Sequence, residues 1–596
     1  MDLRLRHAQP TEAERAAVDG LLGTEPEGDG RAAQTGHRAR GRRHLLLPAL
    51  HAVSDAVGWI SEGALNHICA RLMVPPAEAY GVATFYAMFS TTLRAPRVAH
   101  VCDDIACKLA GADGLCAEME STLGAEGVGE EVTWVRSPCL GLCERAPAVM
   151  FQLAGDEDWC LAPADTESVV AALDGKLVSA DVAPSAPQTV SPRDPGLRLL
   201  RRVGVVDPER LDDYRAHGGY AALRRAVDLG PAAVIREVTD SKLMGRGGAA
   251  FPTGVKWDAV SKAPVRPRYL ICNADESEPG TFKDRVLMES DPFALIEAMT
   301  IAGFATGCEL GYLYIRGEYP LATRRLAGAI DQARRRGLLG ADVMGAGFTF
   351  DVEPRRGAGA YICGEETALM NSIEGRRGEP RNKPPFPTQA GLFGKPTVIN
   401  NVETLVNVLD ILASSGPAYA SAGTAQSTGT KLFCVSGCVA RPGVYEVEFG
   451  ATLRELLELA GGVTGPLRVV LLGGAAGSFV TPDQLDTPLT FEGTRAIGAS
   501  LGSGVIMAFD DQADIPGTLL RIATFFRDES CGQCVPCRVG TVRQEEALHR
   551  VVASASVQEV ALLGELAQVM RDASICGLGH TAATAIQSAI SLGLLP

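Results

Sequence analysis

The chain has 596 residues, a formal charge of −15 and a hydrophobic fraction of 46%. One hydrophobic core rarely serves more than about 250–300 residues, so we expect several domains. The acidic charge argues against a surface built to bind nucleic acid, because phosphate groups repel it. No stretch reaches the ~18 consecutive apolar residues of a membrane span, so the sequence predicts none.

Sixteen cysteines are present without a recognisable secretion signal. The run GRRHLLLPAL (41–50) imitates a twin-arginine export signal, but it lies far from the start of the chain. This combination predicts a cytoplasmic protein whose clustered cysteines bind metal instead of forming disulfides.

The first third of the chain divides into four predicted segments. Residues 1–43 lack hydrophobic periodicity and predict a mobile tail, while the apolar spacing of 44–95 predicts a helical entry domain. Residues 96–178 alternate strands, cysteine-bearing turns and helices, which indicates a compact α/β domain. A Pro- and Ser-rich linker follows, with a helical lead-in, over 179–232.

Three larger segments complete the chain. Strands alternate with helical runs over 233–425, as in a doubly wound α/β domain, and 294–315 predicts a buried helix followed by a strand. Residues 426–514 open with two strands, a turn at Pro442-Gly443 and a helix. Residues 515–596 are predicted to be mostly helical.

The stretch ESCGQCVPCRVGT (529–541) brings three thiols together. Clustered thiolates repel one another unless a cation shares the site, so Cys531, Cys534 and Cys537 predict a metal centre. A [4Fe–4S] cluster needs a fourth ligand, for which Cys576 in SICGLGH is the candidate. The alternatives are a zinc site, or a merely buried Cys576 with His580 or solvent as the fourth ligand.

A second set of thiols, at Cys102, Cys107, Cys139 and Cys143, lies in two neighbouring turns. Two pairs of thiolates from two loops predict a [2Fe–2S] centre, with zinc as the alternative. The remaining cysteines, Cys69 and Cys116 among them, lack such spacing and are interpreted as small buried hydrophobes.

A glycine-rich loop, MGRGGAAFPTGVKW (244–257), contains Gly245-x-Gly247-x-x-Ala250. The segment before it is predicted to be a helix instead of a strand, so a normal Rossmann turn is not expected. Its bare backbone N–H groups near Arg246 and Lys256 suit a phosphate or a ring stacked on the main chain.

Three further stretches carry recognisable motifs: CNADESEPGTFKDR (272–285), RRGAGAYICGEETALMNSIEGRRGEPRNKPPFP (355–387) and PTVINNVETL (396–405). With the cysteines, they resemble the flavin- and NADH-binding subunit of respiratory complex I and its relatives in soluble NAD-linked formate dehydrogenases and NAD-reducing hydrogenases. Residues 44–175 likewise resemble the small thioredoxin-like [2Fe–2S] subunit of these assemblies, here fused in one chain.

The resemblance implies a multidomain α/β fold. It would comprise a thioredoxin-like [2Fe–2S] domain, a Rossmann-like FMN- and NADH-binding domain, a ubiquitin-like β-grasp domain and a C-terminal helical [4Fe–4S] domain. It also implies the cofactor-binding residues Gly245, Arg246, Gly247, Gly248, Phe251, Lys256, Asn273, Asp275, Glu276, Glu278, Tyr361, Gly364, Glu365, Glu366, Asn400, Asn401 and Thr404.

Particular roles follow from the same resemblance. Phe251 would stack on the nicotinamide or adenine, Glu278 would lie beside the dinucleotide, and the catalytic Glu365 would tune the flavin through its charge. The alternative for Asn400 and Asn401 is that they cap the following helix. Asp284 and Arg285 are interpreted as a surface ion pair and are left out of the site.

The implied chemistry joins a two-electron to a one-electron carrier. NADH gives up a hydride, iron–sulfur clusters accept single electrons, and FMN converts between the two. Because no site for molybdenum, tungsten, nickel or quinone is recognisable, the second substrate is expected to react on a partner subunit. The fused modules and the run LLGELAQVMRDASICGLGHTA favour a formate dehydrogenase, whose partner carries molybdenum or tungsten and further clusters.

Other interpretations stay open. An NAD-reducing hydrogenase and complex I are the alternative assemblies. A stand-alone NADH diaphorase is a third possibility, against which an exposed apolar docking face would argue. A protein of another class would be a zinc-containing scaffold without flavin.

Overall fold

The computed structural model describes residues 7–23, 41–177, 196–554 and 556–595. The predicted Pro- and Ser-rich linker, and part of the predicted tail, lie outside these residues. Within the tail, however, Glu12–Leu22 form helix α1, whose Val18 and Leu22 are buried. A mobile tail is therefore the wrong prediction here, because Thr11 and Glu14 form a capping box and the apolar face of α1 packs on the entry helices.

The entry domain contains helices α2 (Leu46–Val57), α3 (Glu62–Leu72) and α4 (Pro76–Ala83). The predicted short helices are thus confirmed. Its contact with the central domain includes a hydrogen bond of 3.0 Å between His51 Nε2 and the Gly357 carbonyl. Arg356 donates to Asp55 across the same boundary, so the entry domain is anchored to the central sheet.

The thioredoxin-like domain has a four-stranded sheet in the order β2-β1-β3-β4, with β1 and β2 parallel and the other pairs antiparallel. Trp134 and Phe151 lie in its own small core. Its elements are β1 (Arg97–Cys102), α5 (Ile105–Leu109), α6 (Ala112–Leu123), β2 (Val132–Ser137), β3 (Val149–Leu153), β4 (Trp159–Leu161) and α7 (Thr166–Leu173).

The central domain is built on a parallel sheet in the order β7-β6-β5-β8. The strands are β5 (Tyr269–Ala274), β6 (Leu310–Ile315), β7 (Asp351–Arg356) and β8 (Thr397–Asn401). Because all four run in one direction, their carboxyl ends meet at one edge, where ligands of open α/β sheets bind.

Helices cover this sheet. They are α8 (Leu211–Ala216), α9 (Ala221–Leu229), α10 (Pro231–Asp240), α11 (Thr253–Ser261), α12 (Lys283–Ser290), α13 (Pro292–Thr306), α14 (Pro320–Arg335), α15 (Glu366–Ile373), α16 (Pro387–Ala390), α17 (Val402–Ala413) and α18 (Gly416–Ala420). Helix α13 is buried almost throughout and leads into β6, which confirms the prediction for 294–315. Helix α10 confirms that a helix precedes the glycine loop.

The β-grasp domain has a five-stranded sheet in the order β10-β9-β13-β11-β12. Its elements are β9 (Thr430–Gly437), β10 (Gly443–Glu448), α19 (Leu453–Leu459), β11 (Leu467–Leu472), β12 (Ser478–Val480), α20 (Phe491–Ala496) and β13 (Val505–Asp510). The predicted strand–turn–strand–helix opening is confirmed. The turns that follow β11 and precede β13 face the central domain.

The C-terminal domain is helical, as predicted. It contains α21 (Ile515–Asp528), α22 (Val535–Ser554), α23 (Val557–Ala573), α24 (Gly577–Thr581) and α25 (Thr584–Ser591). Helices α22 and α23 pack along each other, with Gly540 against Met570. Throughout the described ranges, every helix is too short or too polar to cross a membrane.

Candidate cofactor sites

Two adjoining cavities lie beyond the carboxyl ends of the central strands. Cavity A has a volume of ≈ 490 Å³ and cavity B of ≈ 730 Å³. Gly247, Asn273, Gly364, Glu365 and Asn401 line both. Every cofactor-binding residue predicted from the sequence, except Arg246, lines at least one of the two cavities. The structure therefore brings together residues separated by more than 150 positions in the sequence.

Arg246 does not reach either cavity. Its guanidinium is buried and donates to the carbonyl oxygens of Thr428 (2.8 Å) and Thr430 (3.1 Å) and to the Tyr419 hydroxyl (3.2 Å). A cofactor contact by this side chain is thus the wrong prediction. Its backbone N–H donates to Thr404 Oγ1 at 2.8 Å, so Arg246 anchors the glycine loop from behind.

The glycine loop approaches helix α17 too closely for side chains. A Cβ at Gly247 would lie 3.1 Å from the Asn401 Cβ. Gly248 has a φ of +109°, a backbone conformation that favours glycine. The loop closes on itself through a 2.9 Å hydrogen bond from the Gly245 N–H to the Phe251 carbonyl. Its backbone therefore forms one wall of both cavities.

The acidic stretch after β5 forms the floor of cavity A. Asn273 donates to the Gly364 carbonyl at 2.9 Å and accepts from the Asp275 N–H at 3.2 Å. Burial raises the pKa of Asp275 well above its usual value, and its Oδ2 has no hydrogen-bond partner among the described residues. A buried carboxyl oxygen without a partner fits a ligand that supplies one.

Glu276 and Glu278 have different partners. Glu276 accepts from the backbone N–H groups of Asp284 (2.8 Å) and Arg285 (2.9 Å), so it holds the first turn of α12. Glu278 accepts from the Ala476 N–H at 2.8 Å and from the Tyr361 hydroxyl. Burial raises the pKa of Glu276 to about 8 and that of Glu278 to about 7. Glu278 thus joins the central domain to the β-grasp domain at the edge of cavity A.

Two carboxylates and two lysines meet at the border of the cavities. Glu365 caps α15 by accepting from the Thr367 N–H (2.8 Å) and the Ala368 N–H (3.0 Å). Lys383 Nζ lies 3.0 Å from Glu365 and 2.6 Å from Glu366. Lys256 Nζ lies 3.8 Å from Glu366. The charge of Glu365 is therefore balanced by Lys383 before any cofactor binds.

Cavity B is open to solvent between two aromatic rings. Phe251 is 48% exposed and Phe386 is 51% exposed, although both are large apolar side chains. Lys256 Nζ lies 5.6 Å from the Phe251 ring centroid. Exposed rings beside cations suit a planar ligand that carries negative charge. The sequence interpretation named Phe251 but missed Phe386, whose signal is the motif KPPFP.

The two asparagines after β8 differ in role. Asn401 Oδ1 accepts from the Thr404 N–H at 3.3 Å and so caps α17, as the alternative interpretation held. Asn400 is not a cap, since its Oδ1 accepts from Trp257 Nε1 at 2.9 Å. Both residues also line cavity B, so Asn401 both caps α17 and contributes to the cavity wall.

Asp284 and Arg285 are not the predicted surface pair. Both are almost fully buried. Asp284 lines cavity A and accepts from Asn401 Nδ2 at 2.6 Å. Arg285 pairs with Glu144 of the thioredoxin-like domain and donates to the Gly141 carbonyl at 2.8 Å. Their position at a domain junction, which local sequence does not reveal, explains the error.

Two domains contribute to cavity A without having been predicted to do so. The β-grasp turns supply Gly473, Ala476, Gly477, Ser500, Gly502 and Ser503, and the C-terminal domain supplies Gly577, Leu578, Thr581 and Thr584. The signal in the sequence is the density of glycine in LGGAAGS and SLGSG. At Gly474, an added Cβ would lie 2.7 Å from Glu278 Cγ, so these turns need glycine for close approach.

The first thiol set is gathered as predicted. Cys102 ends β1, Cys107 lies on α5, and Cys139 and Cys143 flank the turn after β2. All four are buried, and the Cys139 and Cys143 sulfur atoms are 3.4 Å apart. A hydrogen bond with Cys107 and burial raise the pKa of Cys102 well above its usual value. A hydrogen bond with Cys143, by contrast, lowers the pKa of Cys139. A cation at the site would favour the thiolate forms that act as ligands.

The second thiol set, Cys531, Cys534, Cys537 and Cys576, lines one small cavity, here called the cysteine cavity. Burial raises the pKa of Cys537 to about 11 and that of Cys576 to about 12. Four sulfurs spread around a cavity fit an iron–sulfur cluster, which is several atoms wide.

Four family models match successive parts of the chain. The thioredoxin-like [2Fe-2S] ferredoxin model matches residues 32–174, and the Nuo51 FMN-binding domain matches 238–410. The SLBB domain matches 432–476, and the NADH-ubiquinone oxidoreductase-F iron-sulfur binding region matches 517–592. These ranges include both thiol sets and most residues of the two cavities.

Similar proteins cover most of the chain. The F 2 subunit of NADH-quinone oxidoreductase in Rhizobium meliloti (strain 1021) is 45% identical over 399 residues, which are 66% of this chain and 94% of that protein. The chain belongs to the family of F-type NADH-quinone oxidoreductase subunits.

A hydrogenase subunit is also similar to this F-type chain. NADP-reducing hydrogenase subunit HndC of Solidesulfovibrio fructosivorans is 42% identical over 64% of this chain and 78% of that protein. A solved chain of NAD+-reducing [NiFe]-hydrogenase in the air-oxidized state has a TM-score of 0.79 and 32% identity, and the alignment covers 92% of both chains.

These findings confirm the predicted fold class and cofactors. The F-type chain combines a thioredoxin-like [2Fe–2S] domain, an FMN-binding Rossmann-like domain, a β-grasp (SLBB) domain and a helical [4Fe–4S] region. FMN, NAD, one [2Fe–2S] and one [4Fe–4S] cluster are its cofactors. It is a flavin iron–sulfur oxidoreductase subunit of the NADH dehydrogenase type.

Proposed function

We propose that this protein exchanges hydride between NAD(H) and FMN, and single electrons between FMN and its clusters, for a formate-oxidising partner. One observation carries the core of the proposal: cavities A and B adjoin each other, and cavity A and the cysteine cavity share Ile362 and Leu578. FMN bound there supplies the conversion between two-electron and one-electron chemistry. The sharing of walls supports a flavin site placed next to an electron acceptor.

The residues of the cavities then receive distinct roles. Asn273, Asp275, Gly364 and Asn401 form the polar cradle for the flavin, and the glycine loop approaches it with bare backbone. Phe251 and Phe386 hold the planar ends of the dinucleotide between them. Glu365, balanced by Lys383, places a carboxylate next to the flavin ring. Lys383 Nζ, 3.0 Å from Glu365, places a positive charge beside this carboxylate.

The two thiol sets hold the clusters in this proposal. Cys102, Cys107, Cys139 and Cys143 ligate the [2Fe–2S] cluster, and Cys531, Cys534, Cys537 and Cys576 ligate the [4Fe–4S] cluster. All sixteen cysteines of the chain are free thiols in the structure, which supports a reducing, cytoplasmic location.

An exposed apolar face supports a partner-bound protein over a stand-alone diaphorase. Val535, Val539 and Val542 are spaced along one face of α22 and are 58%, 46% and 37% exposed. Val569 on the neighbouring helix is 54% exposed. The face begins one residue after Cys534, so a protein bound there would lie close to the [4Fe–4S] site.

The partner proposed from the sequence motifs carries molybdenum or tungsten and oxidises formate. A hydrogenase partner is the second candidate, because the similar solved chain belongs to an NAD+-reducing [NiFe]-hydrogenase and covers 92% of this one. Complex I, represented by the Rhizobium relative, is the third.

The test is NAD+ reduction by the intact complex, purified anaerobically from its native host through a tag on this chain. With formate as the only reductant, we expect rapid NADH formation, and none with hydrogen gas. NADH formation from hydrogen alone would contradict the formate assignment and establish the second candidate. As a control, Cys576→Ser should abolish the NADH formation that formate drives.

A further inference from the structure

Two apolar side chains separate the cofactor cavity from the cysteine cavity. Ile362 is 3% exposed and Leu578 is 6% exposed. Each lines cavity A on one side and the cysteine cavity on the other. The rest of the lining of cavity A consists of glycine, alanine, Tyr361 and polar side chains such as Asp275 and Glu278, so these two residues, which form the wall between the two cavities, supply its large aliphatic side chains.

Leu578 is held in this wall by the cysteine loop itself. The turn is closed by hydrogen bonds from the His580 N–H to the Cys576 carbonyl (3.3 Å) and from the Ala582 N–H to the Leu578 carbonyl (3.0 Å). Gly579 is packed so tightly that an added Cβ would lie 3.1 Å from the Cys537 Cβ. The turn that carries Leu578 therefore begins at Cys576 and packs against Cys537, which limits the freedom of the Leu578 side chain to move out of the wall.

Ile362 is held from the central domain. It lies in the 3₁₀ turn Tyr361–Gly364, whose Tyr361 N–H donates to the Glu529 carboxylate at 2.8 Å. Glu529 is two residues before Cys531, so this hydrogen bond ties the turn to the cysteine loop. The wall thus consists of one residue from each domain, both anchored at the same junction.

The apolar surroundings of an iron–sulfur cluster control access of water and the local dielectric, and hence its reduction potential. We propose that Ile362 and Leu578 form a dry partition that keeps the water of cavity A away from the [4Fe–4S] cluster and holds its potential low. They are positioning residues, since no bond forms or breaks at either side chain. This inference rests on the proposed function of the two cavities.

The experiment compares Leu578→Ala and Ile362→Ala with a matched control, Leu563→Ala. Leu563 is 1% exposed and lies in the same helical domain, but it lines neither cavity A nor the cysteine cavity. The midpoint potential of the [4Fe–4S] cluster is measured by EPR during anaerobic redox titration, after flavin and iron contents have been determined.

Both partition variants are expected to shift the midpoint to more positive potential, because water stabilises the additional negative charge of the reduced cluster. The control should retain the wild-type value, and Leu578→Met, which keeps an apolar side chain of similar volume, should restore it. Equal potentials in all variants would overturn the partition, as would an equal shift in the Leu563→Ala control.

The cofactor contents of the variants and of the wild-type protein decide how the potentials are interpreted. If Leu578→Ala loses its iron, Leu578→Val and Ile362→Val, which remove less volume, carry the same comparison with a Leu563→Val control. If the wild-type chain lacks flavin or cluster, the proposed function fails together with the partition. If all variants contain flavin and both clusters but their midpoint potentials are unshifted, the partition is contradicted and the proposed function is not.

Discussion

Three carboxylates around the cofactor cavities are engaged in hydrogen bonds before any ligand is present. Glu365 caps α15, Glu276 holds the start of α12, and Glu278 binds the Ala476 N–H. Such preorganisation reduces the ordering cost of binding, since these side chains have no alternative conformations to lose. At the residue scale, the same side chains therefore stabilise the fold and line the cavities in which a ligand would bind.

The raised pKa of Glu278, to about 7 through burial, predicts a pH dependence of stability. Between about pH 4.5, the ordinary value, and pH 7 the folded protein holds a proton that the unfolded chain has released, so the free energy of unfolding falls as pH rises. Glu278→Gln should weaken this dependence, measured by urea denaturation at pH 5.5 and 8. The exposed Glu309→Gln serves as control, and an unchanged slope in Glu278→Gln would contradict the prediction.

Phe386→Ala is expected to weaken NADH binding. Loss of one stacking contact costs about 0.5–1.5 kcal/mol, which corresponds to a rise in KM for NADH of about twofold to tenfold. The measurement is NADH-dependent reduction of an artificial dye over a range of NADH concentrations. Phe393→Ala, an exposed ring that lines neither cavity, should leave KM unchanged. A similar KM for both variants would remove Phe386 from the dinucleotide site.

Motifs predicted individual cavity residues well because each lies within a short, recognisable segment. The errors concern residues whose partners are distant in sequence. Arg246 donates to carbonyl groups more than 180 positions away, and Arg285 pairs with Glu144 in another domain. Since residue type and local spacing say nothing about such partners, the buried roles of these two arginines could not be predicted.

At the scale of elements, turns at the ends of strands and helices carry the chemistry. Cys102 ends β1 and Cys139 lies two residues after its parallel neighbour β2, so the loops that follow meet at one edge of the thioredoxin-like sheet. Cys576 stands immediately before α24 and lines the cysteine cavity together with Cys531, Cys534 and Cys537. This position supports Cys576, and not a distant residue, as the fourth ligand proposed from the sequence.

Cys576→Ser is therefore expected to remove the [4Fe–4S] cluster and leave FMN and the [2Fe–2S] cluster in place. Iron content should fall by about four atoms per chain, and the corresponding EPR signal of the reduced protein should disappear. Cys308→Ser, which changes a buried thiol outside both sets, should retain all iron. Retention of the four-iron signal in Cys576→Ser would assign the fourth ligand elsewhere.

Helix α1 shows what sequence-based prediction of elements missed. Its apolar residues Val18 and Leu22 form only a narrow stripe within a charged segment, which was interpreted as a tail. The capping pattern of Thr11 and Glu14 was the available signal. A stripe of this size is stabilised by packing on the entry helices, and the sequence of α1 alone does not contain that information.

At the scale of the whole molecule, cavity A exists only because three domains meet. The central sheet supplies its floor, the β-grasp turns its side, and the segment after Cys576 the wall towards the cysteine cavity. The domain types were predicted from the sequence, but their mutual placement depends on contacts such as Glu278 with Ala476. This placement puts cavity A and the cysteine cavity on opposite sides of Ile362 and Leu578.

The most direct test of the account is anaerobic mixing of the isolated full chain with NADH, followed by flavin absorption and by EPR of samples frozen at successive times. The account predicts that flavin absorption bleaches first and that signals of reduced clusters then appear. Bleached flavin with clusters that stay oxidised, or a preparation that contains no flavin, would contradict it.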